Sequence, residues 1–315
     1  MKVYIDGSYG NSSVGYFFAS FRAIAGDRVT NNPSNADVVL CGPSQKGRYG
    51  GKPNIFVQRL DGIYFDADDP SRSSTKNRSI ISLYKKANGV IFQSNYAKNL
   101  VEKQFGRTKA KTCVIYNGTD IKDKYLTRFP KRFSTLHELR NNGNKLILCC
   151  GTNRPIKRYQ SILDGFNEYK NRNPHAILVV AGTSMTGFDY SSRIYGVGSL
   201  PHGDMLSLYT GVDLLVNLSF SDACPNVVVE ALACKVPVLM TTYQGTTEIY
   251  EGNGYVLQEP ARWDLSTVSY KKIPSLSPAY VADGIEKALS IGFKKPLDLS
   301  MEKCVNQYLK FCESL

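Results

Sequence analysis

Apolar positions along this chain fall into two alternating patterns. Short runs of aliphatic and β-branched residues are separated by longer stretches in which apolar residues recur every three or four positions. The runs at 2–6, 36–41, 54–58, 89–93 and 113–116 read as strands, and the helical period between them predicts helices at 14–25, 79–87 and 94–105. The pattern then restarts, with strands at 145–150, 176–181, 197–200, 214–217 and 236–241. Helices are expected at 159–170, 204–210, 227–234, 279–290 and 301–311. Strands that stay apolar throughout, without alternation, belong to parallel sheets buried on both faces. Strand and helix taking turns therefore predict an α/β protein made of two doubly wound halves. Between the halves, 120–144 is rich in charge and holds Pro130 and Asn141-Asn142-Gly143, so it reads as a linker with one short helix near 136–140. The expected domains are 1–128 and 129–315, with the boundary near Phe129.

Length agrees with this division, since 315 residues exceed one typical domain. No apolar run approaches the roughly 20 residues of a membrane span, and the chain opens on a strand pattern where a signal peptide would show an apolar helix. A cytoplasmic protein is expected. The formal charge of +12 is unevenly placed: residues 1–128 carry +10 of it and 129–315 only +2. The basic side chains Arg72, Lys76, Arg78, Lys98, Lys103, Arg107, Lys109 and Lys111 either meet an anionic partner or form a solvated surface. Eight cysteines lie mostly in apolar segments without paired C-x-x-C spacing, so they read as reduced core residues and not as a zinc site.

Candidate chemistry centres on residues 219–241, SFSDACPNVVVEALACKVPVLMT. Pro225 suits the first turn of a helix, where a missing N–H has no consequence. The amides at Asn226 and Val227 then face outward with partial positive charge, a setting for an anion. Glu230, one turn further in, is placed to accept hydrogen bonds from a diol, with Asp222 in the preceding loop. On spacing alone, a core helix whose acids pair locally accounts for the stretch more simply. In the loop after strand 145–150, Arg154 and Lys157 bring two cations to a helix start, which suits a diphosphate. Surface cations at this spacing are nonetheless common. In the first half, GSYGNSS at 7–13 feeds a helix in the manner of a nucleotide-binding opening but lacks G-x-G-x-x-G, leaving Ser12, Ser13 and Gly15 as candidates. Arg59 and Asp61 follow a strand end, where α/β sheets carry functional loops, and an ordinary surface ion pair explains them equally well. His137, His175 and His202 read as structural.

Together these motifs resemble the family 4 retaining glycosyltransferases of the GT-B fold. CPNVVVEALACKVPVL, with Asp222 and Glu230, resembles that family's acid-x7-acid signature, although Glu is commoner in the first position. GTNRPIK at 151–157 is similar to its Arg-x2-Lys diphosphate loop. VIFQS at 90–94, VIYNGTD at 114–120 and GTTE at 245–248 match further parts in order, so the resemblance covers most of the chain. It implies two Rossmann-like domains facing each other across a cleft, with the C-terminal helix crossing back to the N-terminal domain. The implied function is transfer of a sugar from a nucleotide-sugar donor, with retention, to a carbohydrate, lipid-linked or protein-linked acceptor. Arg154 and Lys157 would hold the diphosphate, Glu230 the ribose hydroxyls and Asp222 the sugar, with the Asn226 and Val227 amides beside the phosphate or sugar. Asp222, Arg154 and Lys157 are the implied catalytic groups.

No cofactor or metal is expected. Asp66-Ala67-Asp68 spells D-x-D, but it lies in the half away from the diphosphate loop. The basic first half points to an anionic acceptor or a peripheral contact with an anionic membrane. Nucleic acid is not expected, since no RNA-binding aromatic signature or zinc finger is present. The chain departs from the family in having Ser12-Ser13 where Gly-Gly is common and no histidine before His137, which leaves the acceptor and any catalytic group of the first half unassigned. A nucleotide-sugar epimerase or phosphorylase, or a non-catalytic binding protein on the same scaffold, are the alternatives.

Overall fold

The computed structural model describes residues 1–7, 9–10, 12–49, 55–67, 71–121, 131–260, 262–265 and 272–315. The chain divides into two compact α/β units, Met1–Asp120 with Trp263–Lys271 and Leu299–Leu315, and Ile121–Arg262 with Lys272–Asp298. The boundary expected near Phe129, and Pro130 beside it, lie outside the described residues.

In the first unit, β1 (Val3–Ile5), α1 (Ser13–Ala25), β2 (Val29–Thr30), β3 (Val38–Cys41) and β4 (Ile55–Leu60) are followed by α2 (Ser73–Tyr84), β5 (Gly89–Phe92), α3 (Asn95–Phe105) and β6 (Lys111–Val114). The six strands are parallel in the order β2-β1-β3-β4-β5-β6. Chain direction across the sheet reverses between β1 and β3, so the loops after these strands flank a switch point.

In the second unit, α4 (Ser134–Asn141), β7 (Lys145–Cys150), α5 (Tyr159–Arg172), β8 (Ala176–Ala181), β9 (Thr186–Asp189) and β10 (Ile194–Gly198) come first. They are followed by α6 (His202–Tyr209), β11 (Leu214–Asn217), α7 (Asn226–Ala233), β12 (Val238–Thr241), β13 (Gly254–Leu257) and α8 (Pro278–Ile291). The order is β13-β12-β11-β7-β8-β10-β9, parallel except for β9. Its switch point falls between β7 and β11. Gly165 of α5 lets α8 come close, since a Cβ there would stand 2.4 Å from that of Val281. The last helix, α9 (Met301–Glu313), belongs to the first unit. Its Val305, Tyr308 and Leu309 pack with Phe17, Phe18 and Phe21 of α1 over β1 and β3.

Several elements differ from expectation for physical reasons. Helix α2 begins six residues before the expected 79, because its inward stripe includes Ser73 and Asn77 ahead of Ile80, Leu83 and Tyr84. Asn77 is buried yet satisfied: its side chain accepts from Tyr64 N and donates to Tyr64 O. Strand β9 was not expected; its residues are mostly exposed and it adds an antiparallel edge to β10, which itself spans 194–198 in place of 197–200. The short edge strands β2 and β13 also escaped the pattern. Glu248 closes a 3-10 turn, Gly245–Glu248.

Candidate active site

Ligands of open α/β sheets bind beyond the carboxyl ends of the strands at a switch point. In the second unit that rule selects the loops after β7 and β11, which carry Arg154, Lys157 and Asp222, with Asn226, Val227 and Glu230 following in α7. The two loops are joined by backbone, since Phe220 N donates to Ile156 O at 2.8 Å. They are also joined by charge: Lys157 Nζ lies 2.6 Å from Asp222 Oδ2. Asp222 is fixed on its other side by a bridge to Gln244, with Asp222 N donating to Tyr243 O and Gly245 N to Asp222 O. Gln244, fully buried, donates from Nε2 to the carbonyls of Asn217 and Ser219. The GTTE turn is thus tied to the site through Gln244 and the Gly245 amide, while Glu248 is exposed.

Arg154 is exposed on the first loop, ahead of the 3-10 turn Pro155–Lys157. Pro225 precedes α7 and supplies no side-chain acceptor to its first turn, where Asn226 and Val227 are half-buried. Glu230 is only 8% exposed. Its Oε2 accepts from Tyr209 Oη at 3.1 Å, and its Oε1 lies 3.0 Å from His202 Nε2. Burial, and then the Glu230 carboxylate, push the Tyr209 phenol well above its ordinary range, so it remains a donor. Burial likewise pushes the neighbouring Cys150 thiol up to about 12, which rules it out as a thiolate nucleophile near neutral pH. A small pocket between the loops is lined by Cys150, Gly151, Thr152, Lys157, Asn217 and Ser219. Ser219 Oγ is buried there without a hydrogen-bond partner among the described residues.

Sequence reasoning missed the frame that holds these loops. Arg158, next to Lys157, takes a left-handed backbone (φ 52°) and forms a two-pronged ion pair with Glu259 at 2.6 and 2.8 Å. Both side chains are 2% exposed, and the guanidinium lies over the Phe220 ring at 4.8 Å. An arginine beside a loop cation carries no periodic signal, and its partner lies 101 residues away. His202, read as structural, reaches Glu230. The clue was its spacing to Tyr209, seven residues or about two helical turns, which puts both on one stripe of α6.

The first-unit candidates are placed differently. Ser12 caps α1, accepting from Gly15 N and donating to Tyr9 O. Gly15 is required because a Cβ would stand 1.9 Å from Gly10 O. Ser13 is the exposed first residue of α1. Arg59 is not a surface residue: it is 2% exposed, donates to Asn117 Oδ1 at 3.1 Å, lies over Phe17 at 4.3 Å and is 3.6 Å from Asp61. Asp66 accepts from Ser73 Oγ, which ties it to α2, and Asp68 lies outside the described residues.

Residues 131–267, most of the second unit, match the family model described as Glycosyl transferases group 1. Spore coat protein SA of Bacillus subtilis (strain 168) is 23% identical over 193 residues, 54% of this chain and 51% of that protein. The chain spans about half the length of that relative. Among solved structures, Anabaena Alr3699/HepE in complex with UDP and glucose aligns over 100% of both chains, with a TM-score of 0.67 at 16% identity. WaaG, a glycosyltransferase involved in lipopolysaccharide biosynthesis, aligns over 98% of this chain and 95% of its own, with a TM-score of 0.57 at 15% identity. At such identities the likeness speaks for the fold, which is of the GT-B type with two Rossmann-like halves. No helix among the described residues is long and apolar enough to cross a membrane.

Proposed function

We propose that the protein is a retaining glycosyltransferase that holds a nucleotide-sugar donor in its second unit and transfers the sugar without a metal ion. The observation that carries this reading is the pairing of Lys157 with Asp222 at the switch point, with Arg154 on the same loop and α7 beginning just after Asp222, within the segment that matches the glycosyl transferase model. Fixed cations and helix-end amides aimed at a departing diphosphate stabilise the charge that develops on it. Arg154 and Lys157 grip that diphosphate. The ammonium of Lys157 has three donors, so Asp222 can orient it with one and leave two for phosphate oxygens. Asp222 lies beside the sugar, and Glu230 accepts from the ribose hydroxyls. No bound metal is needed where two cations already face the leaving group.

The acceptor belongs to the first unit, and the charge of that unit favours an acceptor that is itself anionic, at or near an anionic membrane surface. The match to the glycosyl transferase model does not favour an epimerase, a phosphorylase or a non-catalytic binding protein. The test is a thermal-shift screen of nucleotide sugars, followed by detection of transferred or hydrolysed sugar in the presence of EDTA. A true donor at about 100 times its Kd adds about 2.7 kcal/mol to unfolding. Absence of any stabilising nucleotide overturns the reading. Loss of activity on chelation, restored by manganese, overturns its metal-independent part.

A further inference from the structure

We propose that His202 and Tyr209 are positioning residues that hold Glu230 ready for a ribose diol. This rests on the nucleotide-sugar reading above and adds to it a device in α6 that the motifs did not show.

An ionised carboxylate only accepts, and its two oxygens offer about four acceptor sites. Tyr209 Oη occupies one site on Oε2, and His202 Nε2, which must carry the proton to bond an acceptor, occupies one on Oε1. One site remains on each oxygen. That is the arrangement a pair of hydroxyls on adjacent carbons needs. The two holders differ in access: Tyr209 is fully buried, whereas the His202 side chain is 37% exposed at the first position of α6. Tyr209 therefore anchors the inner oxygen permanently, and His202 fixes the outer one where solvent and ligand arrive. Holding the carboxylate from both sides removes in advance the rotamer freedom that binding would otherwise have to freeze. The neighbouring Cys150 thiol, pushed up to about 12, stays neutral and does not compete for the charge.

The experiment compares UDP with 2′,3′-dideoxy-UDP by calorimetry, since only the first carries the diol. His202→Ala is expected to raise the Kd of UDP roughly tenfold, the equivalent of one hydrogen bond to a charged group, and to leave that of the dideoxy compound unchanged. His202→Gln keeps an N–H donor at the reach of Nε2 and is expected to restore most of the UDP affinity, which a merely space-filling role would not predict. Tyr209→Phe gives a second reading in the same direction, and if it fails to fold the His202 pair of variants still decides. Equal loss for both ligands in His202→Ala, or no loss for UDP, overturns the proposal. Glu230→Gln separates the two levels. If it alone among the variants loses the parent's preference for UDP over the dideoxy compound, the ribose assignment stands and the positioning role falls. If it binds UDP as the parent does, both fall.

Discussion

The two halves of this molecule are both doubly wound sheets with a switch point, strung in different strand orders, and they differ in how they finish the loops there. In the first unit the loop after β1 is consumed by its own structure. Asp6 at the end of that loop's strand accepts from Lys46 N, Gly47 N and Tyr49 Oη, which lashes it to the loop after β3. Tyr9 Oη accepts from Gly42 N, and Ser12 caps α1. In the second unit the loop after β7 carries Arg154 and Lys157, and the residues at the cap positions of α5 and α7, Arg158 and Pro225, make no side-chain cap hydrogen bond. The same sheet edge is locked by a carboxylate in one half and furnished with cations in the other. What distinguishes them is where structural duty lies. The second unit assigns it to a separate buried pair, Arg158 and Glu259, while Arg154 stays exposed and Lys157 pairs with Asp222.

That division of labour is broken most severely at the pair itself. Replacing Glu259 by Gln leaves the Arg158 charge buried and half-bonded, and removal of one partner of a buried ion pair destabilises by about 3–5 kcal/mol. Chemical denaturation of Glu259→Gln and Arg158→Met is expected to show this loss in the transition of the second unit. A shift below about 1 kcal/mol in either variant, within the range of an exposed ion pair, would mean that the pair does not frame the loops.

The two cations proposed to hold the diphosphate are expected to behave in the opposite way. Arg154→Ala and Lys157→Ala should each weaken UDP binding by about 1.5–3 kcal/mol, the range for hydrogen bonds to charged groups, with little change in stability. Asp6→Asn supplies the contrast: it turns one of the two carboxylate oxygens that accept from Lys46 N, Gly47 N and Tyr49 Oη into an NH2 group facing a donor, which should destabilise by about 1–3 kcal/mol and leave UDP affinity untouched. Calorimetry and melting curves on the three proteins check the pattern. Unchanged UDP binding in both cation variants would sink the diphosphate assignment, and weakened binding in Asp6→Asn would erase the contrast between the halves.

What could be read in the sequence follows the same physical line. Strands 145–150, 176–181 and 214–217 stand where the apolar runs placed them, because every one is buried on both faces and the run has no polar interruption. Helix α2 was displaced because Asn77 faces inward and only its contacts with Tyr64 make that tolerable. Strand β9 was invisible because an exposed edge strand has no apolar run to show. At the site, the cations at 154 and 157 and the acids at 222 and 230 stood out only through the order of several motifs taken together, since spacing alone favoured a core helix and ordinary surface cations. Their pairings did not: Lys157 with Asp222, Arg158 with Glu259 and His202 with Glu230 are 65, 101 and 28 residues apart and arise only when the sheet brings loops together.

The smallest effect concerns the outer face of the first unit. Helices α2 and α3 cover the same side of the sheet through Ile80, Leu83, Tyr84 and Val101. Residues 71–111 hold ten lysines and arginines against one acid, Glu102, whereas α9 on the other side mixes Glu302 and Glu313 with Lys303 and Lys310. The charge therefore belongs to one helical layer and not to the unit as a whole. Each basic group near an anionic bilayer contributes about 1 kcal/mol, and screening at physiological salt reaches only about 8 Å. Reversing Arg72, Arg78, Lys103 and Lys109 to Glu in pairs should reduce co-sedimentation with anionic liposomes and flatten its dependence on salt. UDP affinity in the same proteins should not move. Lys111 should matter least of the set, because its Nζ already donates to Ser314 O at 2.9 Å. Binding that is flat across the salt series and indifferent to reversal would make this face a solvated surface, and the acceptor would then be sought among neutral sugars.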